Sequence, residues 1–309
     1  MAEPILPGAL AVRVRAPAKI NLTLRVGPAR PDGFHPLATV YQAVSLYEEV
    51  LAMPADPGVI EVQVTGEGAD QVPADDRNLA HRAARLLARR VAERPGVSLV
   101  INKSVPVAAG LAGGSADAAA TLLACSVLWE LDLDHQALLP LAAELGSDVP
   151  FALIGGTAVG SGRGESVAPA LARGSYHWVL AFADGGLSTP AVYRRYDELG
   201  PTPPDPFDVP AGLMNALRNG DPEQLGRQLI NDLQAPAVDL MPALRKLLAA
   251  ADEYQALGVV VSGSGPTVAF LTGSEADAID LTVALSGSGL CRSARYVTGP
   301  VQGARVLPA

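Results

Sequence analysis

Residues 106–117 read PVAAGLAGGSAD, and an alanine-rich segment follows at once. Gly110, Gly113 and Gly114 permit unusual backbone angles and let a ligand approach the main chain closely. If the alanine-rich segment is a helix, its first N–H groups and the positive end of its dipole favour an anion at this point. The stretch therefore predicts a loop that binds the phosphates of ATP. Ser115 supplies a hydroxyl for a phosphate oxygen or a metal ion.

Three better-known motifs do not describe this loop. No lysine follows the glycines, as a Walker A loop requires, and the fingerprint G-x-G-x-x-G is not matched. Asp117 stands where the serine hydrolase elbow G-x-S-x-G needs its second glycine. The alternative that stays open is a glycine-rich helix start that only packs tightly against a sheet.

The first half of the chain is predicted to contain mostly strands. Asn78 is the expected N-cap and Pro95-Gly96 the expected stop of an amphipathic helix over 78–94, and a further helix is expected over 136–145. Alternating apolar positions predict a strand pair or one bent strand at 11–16 and 20–26, with further strands at 38–52, 59–65 and 97–103.

The second half mixes strands and helices without strict βαβ alternation. A turn-rich stretch at 155–166 and a proline-rich connection at 200–210 separate its segments. Strands are predicted at 177–183, 258–262, 267–272 and 291–298, and helices at 211–219, 222–232, 241–255 and 275–288. This mixture favours an α+β fold of two domains, 1–170 and 171–309.

Composition excludes several classes of protein. The 309 residues carry a net charge of −9, which argues against nonspecific binding to nucleic acid. No apolar run is long enough to cross a bilayer, and the N-terminal 19 residues lack the pattern of a secretory signal. The two cysteines, Cys125 and Cys291, make neither a disulfide framework nor a zinc site. A cytoplasmic protein without membrane or nucleic-acid partners is the expectation.

Two polar groups stand out in the N-terminal part. Lys19 and Asn21 are two residues apart and so share one face of a strand, which is either a solvated edge or part of a site. Asp32-Gly33 forms a tight turn before Phe34 and His35. These two rings are either ordinary surface residues or a place for a planar base.

Two further segments allow a structural and a functional interpretation. Asp148 precedes Pro150, as an N-cap of a short helix does, but its carboxylate could also lie near a transferred phosphoryl group. Residues 262–265 form a second turn of small residues between two apolar strands. That turn is either a plain β-turn or a place where the backbone approaches a ligand.

Together these segments resemble the GHMP small-molecule kinase superfamily. The resemblance extends from about residue 12 to 298. It implies a ribosomal S5 domain 2-like N-terminal domain that binds ATP and a ferredoxin-like C-terminal α/β sandwich. The matching segments are PAKINL (17–22), DGFH (32–35), PVAAGLAGGSADA (106–118), GSDVPF (146–151) and GSGPT (263–267).

The resemblance implies roles for individual residues. Lys19 and Asp148 would be the catalytic pair, and Ser115 the metal ligand for Mg²⁺. ATP would be bound by Lys103, near the adenine or ribose, and by Pro106, Val107, Ala108, Ala109, Gly110, Leu111, Ala112, Gly113, Gly114, Ser115, Ala116 and Asp117. The acceptor substrate would be bound by Asn21, Phe34, His35, Thr189, Tyr193, Gly263, Ser264 and Gly265.

The DGFH turn together with GSDVPF points to the members of the superfamily whose substrate carries a cytidine diphosphate group. Phe34 and Tyr193 would stack on the cytosine while His35 reads its edge. The family commonly has tyrosine at the first position and phenylalanine at the second, and stacking survives both exchanges. A kinase for homoserine or a mevalonate derivative, and a non-catalytic ATP sensor, are the alternatives. Either a monomer or a homodimer is expected.

Overall fold

The computed structural model describes residues 11–91, 93–200 and 207–308, which form two β-sheets covered by helices. The strands are β1 (Val12–Val26), β2 (Leu37–Ala55), β3 (Ile60–Gly66), β4 (Gly96–Lys103), β5 (Thr157–Ser161), β6 (Ser166–Pro169), β7 (Tyr176–Phe182), β8 (Ile230–Asn231), β9 (Gly258–Val261), β10 (Thr267–Thr272), β11 (Ser293–Gly299) and β12 (Arg305–Val306). The helices are α1 (Leu79–Ala88), α2 (Gly113–Leu128), α3 (His135–Leu145), α4 (Val149–Ile154), α5 (Thr189–Leu199), α6 (Ala211–Asn219), α7 (Pro222–Gly226), α8 (Gln234–Leu240), α9 (Ala243–Glu253) and α10 (Glu275–Ser288).

The larger sheet is built around the long hairpin of β1 and β2. Its strands follow the order β12-β1-β2-β4-β3, β5 and β6 continue from β2, and β8 pairs with β1 in parallel. β1 is one strand rather than a pair, and its register shifts between Pro17 and Ala18 and again between Asn21 and Thr23. Such bulges bend a strand and re-aim its side chains. The two shifts flank the segment that carries Lys19 and Asn21.

The helix after the glycine-rich loop is the centre of the first core. Residues 116–126 of α2 are all buried, and its alanines let it pack closely between the sheet and α1, α3 and α4. A helix that is apolar on every side is typical of a buried position. The central position of α2 fixes the loop at its N-terminus.

The smaller sheet has the strand order β11-β7-β10-β9, and all of its pairs are antiparallel. Numbered along the chain, this order is 4-1-3-2, which is the ferredoxin-like arrangement. The small-residue turn 262–265 connects β9 to β10. β6 belongs to the larger sheet and β7 to the smaller one, while β8 and β12 return to the larger sheet. The division into 1–170 and 171–309 stays a prediction.

Three predicted helices are shorter than expected, and the one predicted over 241–255 is observed as Ala243–Glu253. The helix predicted over 222–232 ends at Gly226, and β8 follows. A Cβ at Gly226 would lie 2.1 Å from the carbonyl oxygen of Leu257, so the end of α7 packs directly on the backbone just before β9. The helix predicted over 78–94 ends at Ala88, although Asn78 is its N-cap as predicted and accepts from the N–H of Ala80.

Some predicted features lie outside the described residues. These are the first ten positions, Ala92 in the predicted helix, and residues 201–206 of the proline-rich connection. The stretch 155–166 contains β5 as well as turns. Of the helices that the structure describes, none is long and apolar enough to span a bilayer.

Candidate active site

A cavity of about 690 Å³ lies where β1, the glycine-rich loop, the turn 262–265 and the start of α5 meet. Ser115, Ala116 and Gly265 are the predicted site residues that do not line it. The predicted residues that do line it are Lys19, Asn21, Phe34, His35, Lys103, all of 106–114, Asp117, Asp148, Thr189, Tyr193, Gly263 and Ser264. The fold thus brings together segments that are far apart in sequence.

The loop is shaped by three residues with positive φ. These are Ala108 (54°), Gly110 (76°) and Ala112 (60°). Residues with a Cβ rarely adopt this conformation, and when they do the surrounding structure holds them there. Of the three glycines, only Gly110 uses the freedom of a positive φ.

The other two glycines begin helix α2 and provide space instead. A Cβ at Gly113 would lie 2.8 Å from Oε1 of Glu48, so glycine is required for close packing there. A Cβ at Gly114 would meet only the side chain of Leu79, at 3.6 Å. The first N–H groups of α2, a helix of 16 residues, therefore lie at the cavity wall beside little side-chain bulk. This is the environment that favours a bound phosphate.

Lys19 lies at the centre of the cavity and is almost fully buried. Its Nζ donates to Oδ1 of Asn21 at 2.7 Å and to the carbonyl oxygen of Gly110 at 3.2 Å. Asn21 in turn donates to Oγ1 of Thr39 at 2.8 Å, which fixes the amide. The ammonium group is thus held between β1 and the glycine-rich loop.

Asp148 faces this ammonium group. It stands at the N-cap position of α4, but its side chain makes no capping hydrogen bond. One carboxylate oxygen lies 3.7 Å from Nζ of Lys19, and the side chain is 29% exposed. Burial, followed by the charge of Asp148 and a hydrogen bond to it, raises the pKa of Tyr41 well above its usual range. The carboxylate therefore has a fixed environment and an accessible face.

Lys103 lines the cavity beside two carboxylates, and its place near the adenine or ribose stays a prediction. Its Nζ lies 2.5 Å from Oε1 of Glu48 and 2.6 Å from Oδ2 of Asp117, and all three side chains are buried. Glu48 also accepts from the backbone N–H of Ser104 at 2.9 Å. These contacts join β2, β4 and α2 directly beneath the loop.

The protonation of this cluster follows from its burial. Burial, with the neighbouring charge of Asp117, raises the pKa of Glu48 to about 7, against the opposite effect of Lys103. Burial also raises the pKa of Asp117. Burial alone would lower the pKa of Lys103, but the two carboxylates outweigh it and the pKa is raised. The lysine is charged, and the carboxylates compete for a further proton near neutral pH.

The predicted base-binding residues lie at another part of the cavity wall. Phe34 is half exposed, whereas His35 is buried. The ring of His35 packs on that of Tyr193 with centroids 5.3 Å apart. Its Nδ1 lies 2.8 Å from the carbonyl oxygen of Gly27, so this nitrogen carries the proton, and Nε2 lies 3.4 Å from Oδ1 of Asp197.

The second small-residue turn is held against the first loop. A Cβ at Gly110 would lie 2.2 Å from the carbonyl oxygen of Ser262. The side chain of Asn231 in β8 donates to the carbonyl oxygen of Gly263 at 2.7 Å. Oγ of Ser264 lies 2.8 Å from Oγ1 of Thr189, where α5 begins. The turn therefore completes the wall beside Lys19.

Several cavity residues were not predicted from the sequence. Asn78 was recognised only as a helix cap, and its place just before α1 was the available signal. Tyr41 and Arg163 lie in a buried strand and in a turn that the sequence does not distinguish from others. The remaining unpredicted lining residues are Leu24, Gly33, Leu37, Gln71, Val72, Pro73, Arg77, Leu79, Val105, Ser147, Pro190 and Leu233.

The phosphate end of the cavity offers few protein ligands for a metal ion. In the described parts of the chain, no group of three or more His, Cys, Asp or Glu side chains is placed to hold one. Oδ1 of Asp117 is buried and lacks a hydrogen-bond partner. Mg²⁺ usually keeps several waters and binds through substrate phosphates and one or two protein oxygens. The donor set fits a Mg²⁺ ion that enters with a nucleotide.

Comparison with known proteins gives a consistent result. The family models for the GHMP kinase N-terminal and C-terminal domains match residues 78–156 and 213–289. The 4-diphosphocytidyl-2-C-methyl-D-erythritol kinase of Mycobacterium tuberculosis is 54% identical over 96% of this chain and 93% of its own length. The enzyme of the same name from Mycobacterium marinum is 55% identical over 96% of this chain and 92% of its own length.

Solved structures agree. A crystal structure of 4-(cytidine 5'-diphospho)-2C-methyl-D-erythritol kinase has a TM-score of 0.75 and 33% identity, and the match covers 94% of this chain and 99% of that one. Homoserine kinase from Cytophaga hutchinsonii has a TM-score of 0.72 and 18% identity, and the match covers 99% of this chain and 100% of that one. At this identity the likeness shows the fold alone. The two family models, the curated relatives and the fold together place this chain in the GHMP kinase family.

Proposed function

We propose that this protein transfers the γ-phosphoryl group of ATP to the 2-hydroxyl of 4-diphosphocytidyl-2-C-methyl-D-erythritol. The products would be the 2-phosphate and ADP, in non-mevalonate isoprenoid precursor synthesis. The observation that carries the proposal is that Lys19 and Asp148 face each other, 3.7 Å apart, in the cavity that also holds the glycine-rich loop. Relatives more than half identical to this chain carry the name of this activity.

The chemistry requires positioning and charge stabilisation more than covalent participation. The N-terminus of α2 and the loop N–H groups would hold the phosphates of ATP. Asp148, with an accessible carboxylate, would orient the acceptor hydroxyl and take its proton. Lys19 would stabilise the negative charge that develops on the transferred group.

A Mg²⁺ ion bound to ATP would neutralise charge on the β- and γ-phosphates. Ser115 remains the proposed protein ligand, although its side chain does not line the cavity. Oδ1 of Asp117, in the same helix, is a buried oxygen without a hydrogen-bond partner. Either residue would touch the ion through one oxygen only, which is compatible with the usual coordination of Mg²⁺.

Phe34, His35 and Tyr193 would form the site for the cytosine. An exposed ring at position 34 has a face free to stack on a base, and base–aromatic stacking contributes about 1–3 kcal/mol. A kinase for homoserine or mevalonate needs no such aromatic group. That difference favours the cytidine-bearing substrate over the simpler alcohols.

The test is to follow ADP release from ATP and Mg²⁺ with 4-diphosphocytidyl-2-C-methyl-D-erythritol, homoserine and mevalonate as separate acceptors. The proposal predicts turnover with the cytidyl compound alone. Turnover with homoserine or mevalonate instead would keep the kinase assignment and exclude the cytosine site. ATP binding without turnover on any of the three would indicate a nucleotide sensor.

A further inference from the structure

Four lysine and arginine side chains line the cavity, and they differ in their partners. Lys19 faces Asp148, Lys103 contacts two buried carboxylates, and Arg77 forms an ion pair with Asp75. Within the described residues, the guanidinium group of Arg163 has no carboxylate at ion-pairing distance. Its charge is therefore available to a ligand.

Arg163 lies in the turn between β5 and β6, and this turn is fixed at both ends. The carbonyl oxygen of Gly162 accepts from the N–H of Leu37 at 2.8 Å, which ties the turn to the strand after the DGFH segment. A Cβ at Gly164 would lie 2.3 Å from the hydroxyl oxygen of Tyr41. Tyr41 lies close enough to Asp148 for the charge of that carboxylate to raise its pKa. The turn thus packs against the catalytic end of the cavity.

The side chain of Arg163 extends from this turn to the ring of Phe34. Its guanidinium carbon lies 4.3 Å from the centroid of the Phe34 ring. A cation over an aromatic face is held there by electrostatic attraction, while its N–H groups remain able to donate outward. The charge is therefore held beside the proposed base site, in the cavity that also contains Asp148.

We infer that Arg163 binds the diphosphate group of the acceptor substrate and so determines specificity for a cytidine diphosphate compound. The inference rests on the proposed function. In such a substrate the ribose and diphosphate join the base to the reacting polyol, and Arg163 lies beside the proposed base site in a turn that packs on Tyr41. Arginine suits the role because its planar fork donates to two phosphate oxygens at once.

The charge balance of the site supports the same assignment. ATP and the acceptor both enter as anions, and the protein itself carries a net charge of −9. Lys19 is directed at the glycine-rich loop and Lys103 is neutralised by its neighbours. Arg163 is the cavity cation left to offset the acceptor's diphosphate. Homoserine and mevalonate each carry a carboxylate but no diphosphate.

The test compares Arg163→Met, Arg163→Lys and the control Arg90→Met, which removes the same charge from an exposed ion pair with Glu144. Affinities for cytidine and for cytidine diphosphate are measured with each protein, together with the KM for the full substrate and kcat. Thermal unfolding checks that each variant is folded.

Arg163→Met is expected to weaken cytidine diphosphate binding and raise the substrate KM by about 10–100-fold, as loss of a charge-assisted contact does. Cytidine binding and kcat should change by less than about threefold, because such contacts act on the phosphates alone. Arg163→Lys should recover at least part of the lost affinity, and Arg90→Met should match the unmodified protein.

Equal weakening of cytidine and cytidine diphosphate would overturn the inference, since Arg163 would then act only through Phe34. Unchanged binding of both ligands would overturn it as well. If the unmodified protein turns over the cytidyl substrate and Arg163→Met has the same KM, only this inference fails. If the unmodified protein neither turns over that substrate nor binds cytidine diphosphate, the proposed function fails with it.

Discussion

Two lysines line the same cavity, and their surroundings could hardly differ more. Lys103 is enclosed by Glu48 and Asp117, both within 2.6 Å and both buried. Lys19 contacts only neutral oxygens at hydrogen-bond distance, and its carboxylate neighbour, Asp148, lies at 3.7 Å and is 29% exposed. Lys103 is paired with two buried carboxylates, whereas Lys19 and Asp148 each keep an open side.

Charged residues of the same cavity therefore divide into those with a structural role and those with a chemical role. Charges that are fully paired and buried connect elements, here β2, β4 and α2 beneath the loop. Removing one partner of such a group leaves an uncompensated charge and is strongly destabilising. Charges that are held in place but incompletely paired can change their interactions during a reaction. Substitutions at Lys103 and at the pair of Lys19 and Asp148 should therefore differ in which property they change and by how much.

The largest expected effect is on turnover, when the pair of Lys19 and Asp148 is altered. Asp148→Asn should lower kcat by about 10²–10⁴-fold, because an amide cannot accept the proton of the hydroxyl. Steady-state ADP release measures the loss. Asp134→Asn, the same change at the N-cap of α3, is the control and should keep full activity. A kcat within a few fold of the unmodified protein would exclude Asp148 as the base.

Changes in the buried group of Lys103, Glu48 and Asp117 should have their largest effect on the free energy of unfolding. Lys103→Met is expected to reduce the free energy of unfolding by about 3–5 kcal/mol, because it leaves two buried carboxylates without a cation. Urea denaturation measures this loss. Lys246→Met, a change in an exposed residue of α9, is the matched control and should change it by less than about 0.5 kcal/mol. Equal stability of the two variants would contradict the structural role of Lys103.

The base site should give a smaller effect, confined to substrate binding. Phe34→Ala is expected to raise the KM for the cytidyl substrate by about 5–150-fold, the equivalent of 1–3 kcal/mol of stacking, with the KM for ATP unchanged. Phe34→Tyr keeps the ring face and should bind normally. An unchanged KM in Phe34→Ala would remove this residue from the base site.

The last effect is a pH dependence of stability that arises from Glu48. Its pKa is raised from 4.5 to about 7 by burial and by Asp117, so the folded protein binds a proton that the unfolded chain releases. Stability from this group is therefore present at pH 4 and declines as the pH rises from about 4.5 to 7. Thermal unfolding of Glu48→Gln across this range should show a weaker decline. An identical pH profile would mean that Glu48 does not titrate in the fold.

The sequence was most informative where one segment holds a whole feature. The glycine-rich loop and the helix after it lie where they were predicted, and α6 and α10 have the predicted bounds. The loop's backbone was less predictable. Ala108 and Ala112 adopt positive φ under the constraint of their surroundings, and no local preference of alanine indicates this.

Contacts between distant segments were the least predictable. Glu48 and Lys103 are separated by 54 intervening residues, and nothing in either segment indicates that they meet under the loop. Arg163 stands in a turn rich in glycine, where an exposed arginine is the ordinary expectation. The partners of Glu48, Lys103 and Arg163 are set by how the two sheets pack, and a pattern of apolar residues does not specify that packing in detail.

The central claim is that Lys19 acts in the reaction and Lys103 stabilises the fold. Lys19→Met tests it most directly when kcat and the free energy of unfolding are measured on the same sample and set beside those of Lys103→Met. The account predicts a loss of about 10²–10³-fold in kcat, as for the loss of one group that stabilises developing charge. It also predicts a stability loss well below that of Lys103→Met. Near-normal kcat in Lys19→Met, or a loss of stability equal to that of Lys103→Met, would contradict it.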